Sequence, residues 1–146
     1  MKRNRIMGII IALVLLIIVG FYFNNIQVGY WIVGEARPLF IIYNMDFNSH
    51  EVDIEIFNSD NESIFKELYF LNQSELKEYP KPQTMTTSRE YHTYTFKVTL
   101  DNETTKIDSA DIDPWTTQEI HLYAKSTDGD ETFGEIIPLE IWTSVV

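Results

Sequence analysis

The residues that most constrain this chain lie at its start, where an uncharged apolar run extends from Ile6 to Phe23. Basic residues at three of the first five positions precede this run, and the next basic residue is Arg37. In hydrocarbon a backbone must satisfy its own N–H and C=O groups, so such a run crosses a bilayer as a helix of roughly 20 residues. Because basic flanks stay in the cytoplasm, the sequence predicts a cytoplasmic tip over 1–5, a transmembrane helix over 6–23 and an extracytoplasmic remainder.

Two other kinds of leader segment fit this run less well. A secretory signal peptide has a core of about 7–15 apolar residues before a small-x-small cleavage site, whereas this run is longer and ends in Phe21-Tyr22-Phe23. A pilin-like leader would be cut near Gly8, and its mature helix often carries an early acidic residue, but the first acid here is Glu35. We therefore interpret the segment as an uncleaved signal anchor and keep a pilin-like filament subunit as an alternative.

The charge of the remaining chain limits its partners. Of the 11 Lys and Arg residues, three lie in the basic tip, which leaves 8 against 22 Asp and Glu and a formal charge of −14. Nucleic-acid binding relies on basic residues that neutralise phosphates, so no nucleic-acid partner is expected. The chain has no cysteine, which excludes disulfides, thiolate metal ligands and thiol catalysis.

A connector over 24–38 is followed by alternating apolar residues, which predict one β-rich domain over 39–146. The clearest alternation runs from Tyr91 to Leu100, and a second runs from His50 to Asn58. A period of two is typical of a half-buried strand. About seven short strands separated by turns are expected, without P-loop or βαβ spacing. The predicted fold class is therefore all-β, an antiparallel β-sandwich of immunoglobulin-like (Ig-like) type.

Four segments within this domain are assigned from their apolar spacing, their prolines or their turn residues. The segment from Ile64 to Leu71 favours a strand, with a helix as the alternative because its apolar residues also fit helical spacing. Residues 72–89 contain two prolines and are predicted to be the longest irregular loop. Asp128-Gly129 predicts a hairpin turn, and Pro138 places the last strand at a sheet edge or a bulge.

Part of the chain resembles a loose group of archaeal membrane-anchored or secreted Ig-like domains. The matching segments are His50–Ile56, Phe65–Leu71, Tyr94–Asp101 and the Asp128-Gly129 turn. In that group the order is strand, turn, a strand before a Pro-containing loop, and then a paired hairpin. The resemblance covers residues 39–130 and implies an extracytoplasmic sandwich in an archaeal cell envelope. It supplies no catalytic residues, and most such domains have no assigned activity.

Acidic residues in two predicted loops are weak candidates for a calcium site, because hard cations prefer several oxygen ligands from flexible loops. The candidates are Asp108, Asp111, Asp113, Asp128 and Asp130. Their spacing does not match an EF-hand loop, and solvated carboxylates are expected throughout so acidic a chain. We therefore predict no metal and no other cofactor.

The three histidines, His50, His92 and His121, are scattered along the chain. A blue-copper centre would also need a cysteine thiolate, so ordinary surface histidines are predicted. The sequence contains neither a GxSxG nor an HExxH motif. We therefore predict no catalytic residues and no enzymatic activity.

Two kinds of residue are candidates for surface roles. Asn61, Asn72 and Asn102 begin Asn-x-Ser/Thr sequons at predicted turns and are candidate glycosylation sites. Trp115 follows Asp-Pro in a predicted loop and is a candidate contact for a protein or sugar partner. Burial of this tryptophan in a cysteine-free core is the alternative.

Together these features predict a noncatalytic, single-pass membrane protein whose sandwich binds or spaces other components of the cell surface. Its expected partners are the lipid bilayer, through residues 6–23, and a cell-surface protein or glycan. Alternative functions are a metal- or solute-binding ectodomain, with calcium or copper as the metal, and the pilin-like filament subunit.

Overall fold

The computed structural model describes residues 2–25, 34–86, 91–125 and 136–145, and the chain divides into two compact units, 1–35 and 36–146. In the first unit, helix α1 extends from Lys2 to Asn25. No helix within the described ranges proves long and apolar enough to span a membrane. The span expected over 6–23 therefore stays a prediction from the sequence.

The second unit is a β-sandwich of two four-stranded sheets. Sheet I contains, in spatial order, β4 (Leu76–Tyr79), β1 (Phe40–Asn44), β7 (Thr116–Lys125) and β8 (Ile136–Val145). Sheet II contains, in spatial order, β3 (Ser63–Leu71), β2 (His50–Phe57), β5 (His92–Leu100) and β6 (Thr104–Ile112). A short helix, α2 (Gln83–Thr86), follows β4.

The strand pairing differs from the prediction in two respects. The described residues hold eight strands rather than about seven, and β1 and β7 pair in parallel, whereas every other pair is antiparallel. The strand without a matching prediction is β4, which lies in the segment predicted to be an irregular loop over 72–89. Tertiary packing explains it, because the ring of Tyr79 stacks on that of Phe40, with 5.2 Å between the ring centroids.

The predicted alternation is confirmed in the central strands of sheet II. In β2, Val52, Ile54 and Ile56 are fully buried, while the residues between them are partly exposed. In β5, Phe96 and Val98 are fully buried in the same way. These side chains form one face of the core, as a period of two requires.

The segment from Ile64 to Leu71 is the predicted strand and not the alternative helix. Its inward residues Tyr69 and Leu71 are buried. The ring of Phe40 meets the ring of Tyr69 edge-on at 6.0 Å and that of Phe65 at 5.7 Å. A side chain of sheet I thereby joins two side chains of sheet II at the centre of the sandwich.

Pro138 lies in an edge strand, β8, as predicted. Opposite it, Tyr123 has a φ of +55° and takes no part in the register, which pairs Leu122 with Leu139 and Ala124 with Ile137. Proline offers no N–H to a neighbouring strand, so a local irregularity of β7 is tolerated at this point. The hairpin turn predicted at Asp128-Gly129 lies outside the described residues.

Candidate functional site

Trp115, the predicted partner contact, is only 8% exposed. Trp115 is therefore not the exposed anchor considered as a candidate, and the alternative, burial, is confirmed. The loop between β6 and β7 is held closed by Asp113, whose Oδ1 accepts hydrogen bonds from the N–H groups of Trp115 and Thr116 and from the Thr116 hydroxyl, at 2.7–2.9 Å.

The three acidic candidates within the described residues, Asp108, Asp111 and Asp113, each accept a hydrogen bond from another residue. Asp108 accepts a bond from the Gln118 amide at 3.3 Å, Asp111 accepts one from the Thr93 hydroxyl at 2.6 Å, and Asp113 closes its own loop. Asp128 and Asp130 lie outside the described residues. Across the residues that are described, no three His, Asp or Glu side chains come together as a group that could hold a metal ion.

The three sequons lie in exposed turns, as predicted. Asn61 and Asn102 have φ values of 60° and 58°, a left-handed conformation that asparagine tolerates better than most residues. The side-chain amides of two of these asparagines are already engaged: Asn72 donates to Glu75 at 2.9 Å and Asn102 to Glu51 at 2.8 Å.

The prediction of surface histidines is wrong for two of the three. His92 begins β5 and is exposed, but His50 and His121 are 8% and 6% exposed. Alternation along β7 correctly places His121 on the outer face of sheet I. It is nevertheless covered there, because its ring lies between those of Tyr43, at 4.7 Å, and Trp142, at 4.3 Å.

His50 sits between two carboxylates at the start of β2. Its Nδ1 lies 2.7 Å from Asp101 and its Nε2 lies 3.0 Å from Asp46, while its ring stacks on Tyr123 at 4.6 Å. Burial opposes protonation, but the bonds to Asp46 and Asp101 outweigh it and raise the pKa of His50 above 6.5. The hydrogen bond from His50 likewise lowers the pKa of Asp46 from 3.8 to about 2. We name this arrangement the His50 clamp.

Sequence reasoning missed an exposed apolar surface of the sandwich, the outer side of the edge strand β3. Its outward residues Ile64, Leu68 and Phe70 are 46%, 45% and 71% exposed. An edge strand presents unpaired N–H and C=O groups, which makes it a template for another strand. The sequence did contain a signal for this surface. The β3 segment has apolar residues at both its inward and its outward positions, whereas the outer face of a sandwich strand normally meets solvent and is polar.

Within the described residues, each of the other three edge strands has a feature that limits pairing with a further strand. β4 is only four residues long and carries Lys77, β8 contains Pro138, and β6 packs beside β8 of the opposite sheet. Short length, proline and coverage are the devices by which natural proteins protect sheet edges. The nine residues of β3 contain no proline, and no described strand pairs with their outer side, so Lys66 is the main edge-protecting feature of this strand.

An acidic row lies next to this edge on β2. Glu51, Asp53 and Glu55 stand opposite Phe70, Leu68 and Lys66 respectively. Lys66 lies 3.7 Å from Asp53 and 3.6 Å from Glu55, so a single cation on β3 serves two carboxylates. We call the surface formed by the outward residues of β3 and this acidic row the β3 edge. It is mainly apolar on the edge strand β3 and acidic on the neighbouring strand β2.

Comparisons of the chain with protein-family models, with curated proteins and with solved structures found no match.

Proposed function

We propose that this chain is a noncatalytic, membrane-tethered protein of the cell envelope whose sandwich binds a neighbouring surface protein through the β3 edge. The binding half of this proposal rests on the nine-residue edge strand β3, which presents three exposed apolar side chains on one face. The resemblance to archaeal Ig-like ectodomains, with their envelope location, supports the same assignment without specifying a partner.

The tethering half of the proposal rests on the composition of α1. Its described side chains between residues 7 and 20 are all nonpolar and all exposed. A helix that is apolar on every side is stable only in a protein core or in a bilayer. The basic tip orients such an anchor with the N-terminus in the cytoplasm, and residues 36–146 then lie outside.

Strand addition is the binding mode that best suits the β3 edge. A partner strand would pair with the free backbone groups of β3, and its alternate side chains would pack beside Ile64, Leu68 and Phe70. The carboxylates of Glu51, Asp53 and Glu55 lie one strand behind β3, roughly 10 Å from an added strand, within reach of a long basic side chain. The expected partner segment therefore carries both apolar residues and Lys or Arg at the alternate positions that face the outer side of the sheet.

Photo-crosslinking in intact source cells tests this assignment. A photoreactive residue at position 68 is expected to capture a surface protein, whereas the same residue at position 107, on the outer face of β6, is not. Leu68→Thr together with Phe70→Thr should lower the yield of a crosslinker placed at position 66 about tenfold or more, because apolar anchors dominate such interfaces.

Ile107→Thr is the matched control for these variants. Ile107 is 62% exposed on the opposite edge of sheet II, and threonine keeps a high β propensity at all three positions. Equal capture at positions 68 and 107, or an unchanged yield in the double variant, would contradict the proposal. A native N-terminus close to Gly8 would instead favour the filament subunit.

A further inference from the structure

A pocket with two cations opens on the second unit of this strongly acidic chain. Its volume is about 390 Å³, and its lining includes Arg37, Lys81 and Glu78 together with the apolar residues Ala36, Pro38 and Pro80. Small-molecule pockets have volumes of about 300–1,000 Å³ and combine apolar walls with a few convergent polar groups. None of these lining residues belongs to β3 or α1, so the pocket is separate from the β3 edge.

Lys81 is the more unusual of the two cations. It is only 8% exposed, and its Nζ donates to the carbonyl oxygens of Asp113 and Thr116 at 2.5 and 2.6 Å. Burial, opposed by the charge of Asp113 and assisted by the nearby Arg37, lowers the pKa of Lys81 to about 8. An ammonium has three N–H donors, and these two carbonyls accept from two of them.

Arg37 is held in place from outside the pocket. Its Nη1 donates to the Ser144 hydroxyl at 2.8 Å, and its Nη2 lies 3.4 Å from Glu119. A guanidinium has five N–H donors in a rigid plane, so these two contacts fix its orientation and leave donors for a further acceptor. The pocket lining thus includes two cations in a unit, 36–146, whose 8 Lys and Arg against 21 Asp and Glu give a formal charge of −13.

We propose that this pocket binds a monocarboxylate with a short apolar body, whose carboxylate lies between Lys81 and Arg37. A carboxylate offers the acceptor oxygens that a guanidinium and an ammonium both prefer. Glu78 in the lining and Glu119 beside Arg37 oppose the two cations, and this opposition disfavours a phosphate dianion more than a single carboxylate. Pro38, Pro80 and Ala36 supply apolar wall for the body of the ligand.

Two sources share this chemistry, a free short-chain acid and the C-terminal carboxylate of a peptide. The test uses the full-length chain in mild detergent, with ¹³C-labelled lysine side chains observed by NMR at constant ionic strength. The probes are butyrate, N-acetyl-Ala-Ala with a free C-terminus, the same peptide with an amidated C-terminus, and inorganic phosphate.

At least one free carboxylate probe is expected to saturate the Lys81 signal and to move its titration midpoint upward, while the amidated peptide has no effect. Tighter binding of butyrate would identify a free acid as the ligand, and tighter binding of the peptide would identify a C-terminus. A response that does not saturate, or phosphate that binds as tightly as both carboxylates, would overturn the proposal.

Variants that remove either the acidic or a basic side chain of the pocket test the proposed position of the carboxylate. Glu78→Gln should tighten carboxylate binding severalfold because it removes the repelling charge, and Arg37→Gln should weaken it about tenfold by removing one cation. Lys97→Gln is the control, since Lys97 pairs with Glu55 on the outer face of sheet II. Equal affinities in Glu78→Gln and Arg37→Gln would contradict the proposed carboxylate position.

Discussion

Replacing Phe40 by alanine is expected to destabilise the sandwich by about 3–5 kcal/mol. Phe40 is fully buried, and its ring contacts those of Phe65, Tyr69 and Tyr79. Truncation removes the buried area and leaves a cavity between the two sheets. Urea unfolding followed by tryptophan fluorescence measures the change in the free energy of unfolding.

Phe70→Ala provides the matched control, because it removes the same side chain from an exposed position on β3. Surface substitutions of this kind usually change stability by about 0.5 kcal/mol or less. Similar losses in the Phe40 and Phe70 variants would show that Phe40 does not join the sheets as described.

Replacing His50 by alanine is expected to lower stability by about 1–3 kcal/mol at pH 5.5, because two charge-assisted hydrogen bonds are lost. Asp101 is 34% exposed, so solvent screening keeps the effect toward the lower end of that range. The loss of stacking on Tyr123 adds a component that does not depend on pH.

The His50 clamp also fixes the pH dependence of stability. The pKa of His50 is raised above 6.5 in the folded state, so its contribution is fully present below pH 6.5 and is lost as pH rises through the raised pKa. The pKa of Asp46 is lowered from 3.8 to about 2. Its contribution is therefore present above pH 3.8 and is lost as pH falls toward 2. The clamp contributes most to the free energy of unfolding between pH 3.8 and pH 6.5.

Urea unfolding across pH 4–9 tests this dependence in the native chain, in His50→Ala and in His92→Ala. The native chain and His92→Ala should lose stability together as pH rises above 6.5, since His92 is exposed at the start of β5. The His50→Ala curve should be flatter over the same interval. Parallel curves for all three proteins would mean that His50 is not held as a cation.

Sequence patterns predicted those parts of the fold that depend on local periodicity. The alternation in β2 and β5 located two central strands because their side chains face core and solvent in turn. Pro138 indicated an edge because proline cannot donate to a neighbouring strand. The strand β4 and its packing were not predictable from the segment Leu-Lys-Glu-Tyr, since the contact between Tyr79 and Phe40 joins residues distant in the sequence.

The environment of individual polar and aromatic side chains was harder to predict. Alternation correctly put His121 on an outer face, but only the pairing of β1, β7 and β8 brings Tyr43 and Trp142 over it. The partners of His50 come from two turns about 55 residues apart, at Asp46 and Asp101. Burial of Trp115 likewise depends on how the Asp113 loop closes.

The orientation of the chain in the envelope is the claim on which the proposed function depends, and the absence of native cysteine makes it directly measurable. Single cysteines at Asn4 and at Ser59 would be treated with a membrane-impermeant maleimide, first in intact cells and then after permeabilisation. The proposed tether predicts labelling of Ser59→Cys in intact cells and of Asn4→Cys only after permeabilisation. Protection of Ser59→Cys in intact cells, with labelling only once they are permeabilised, would contradict it.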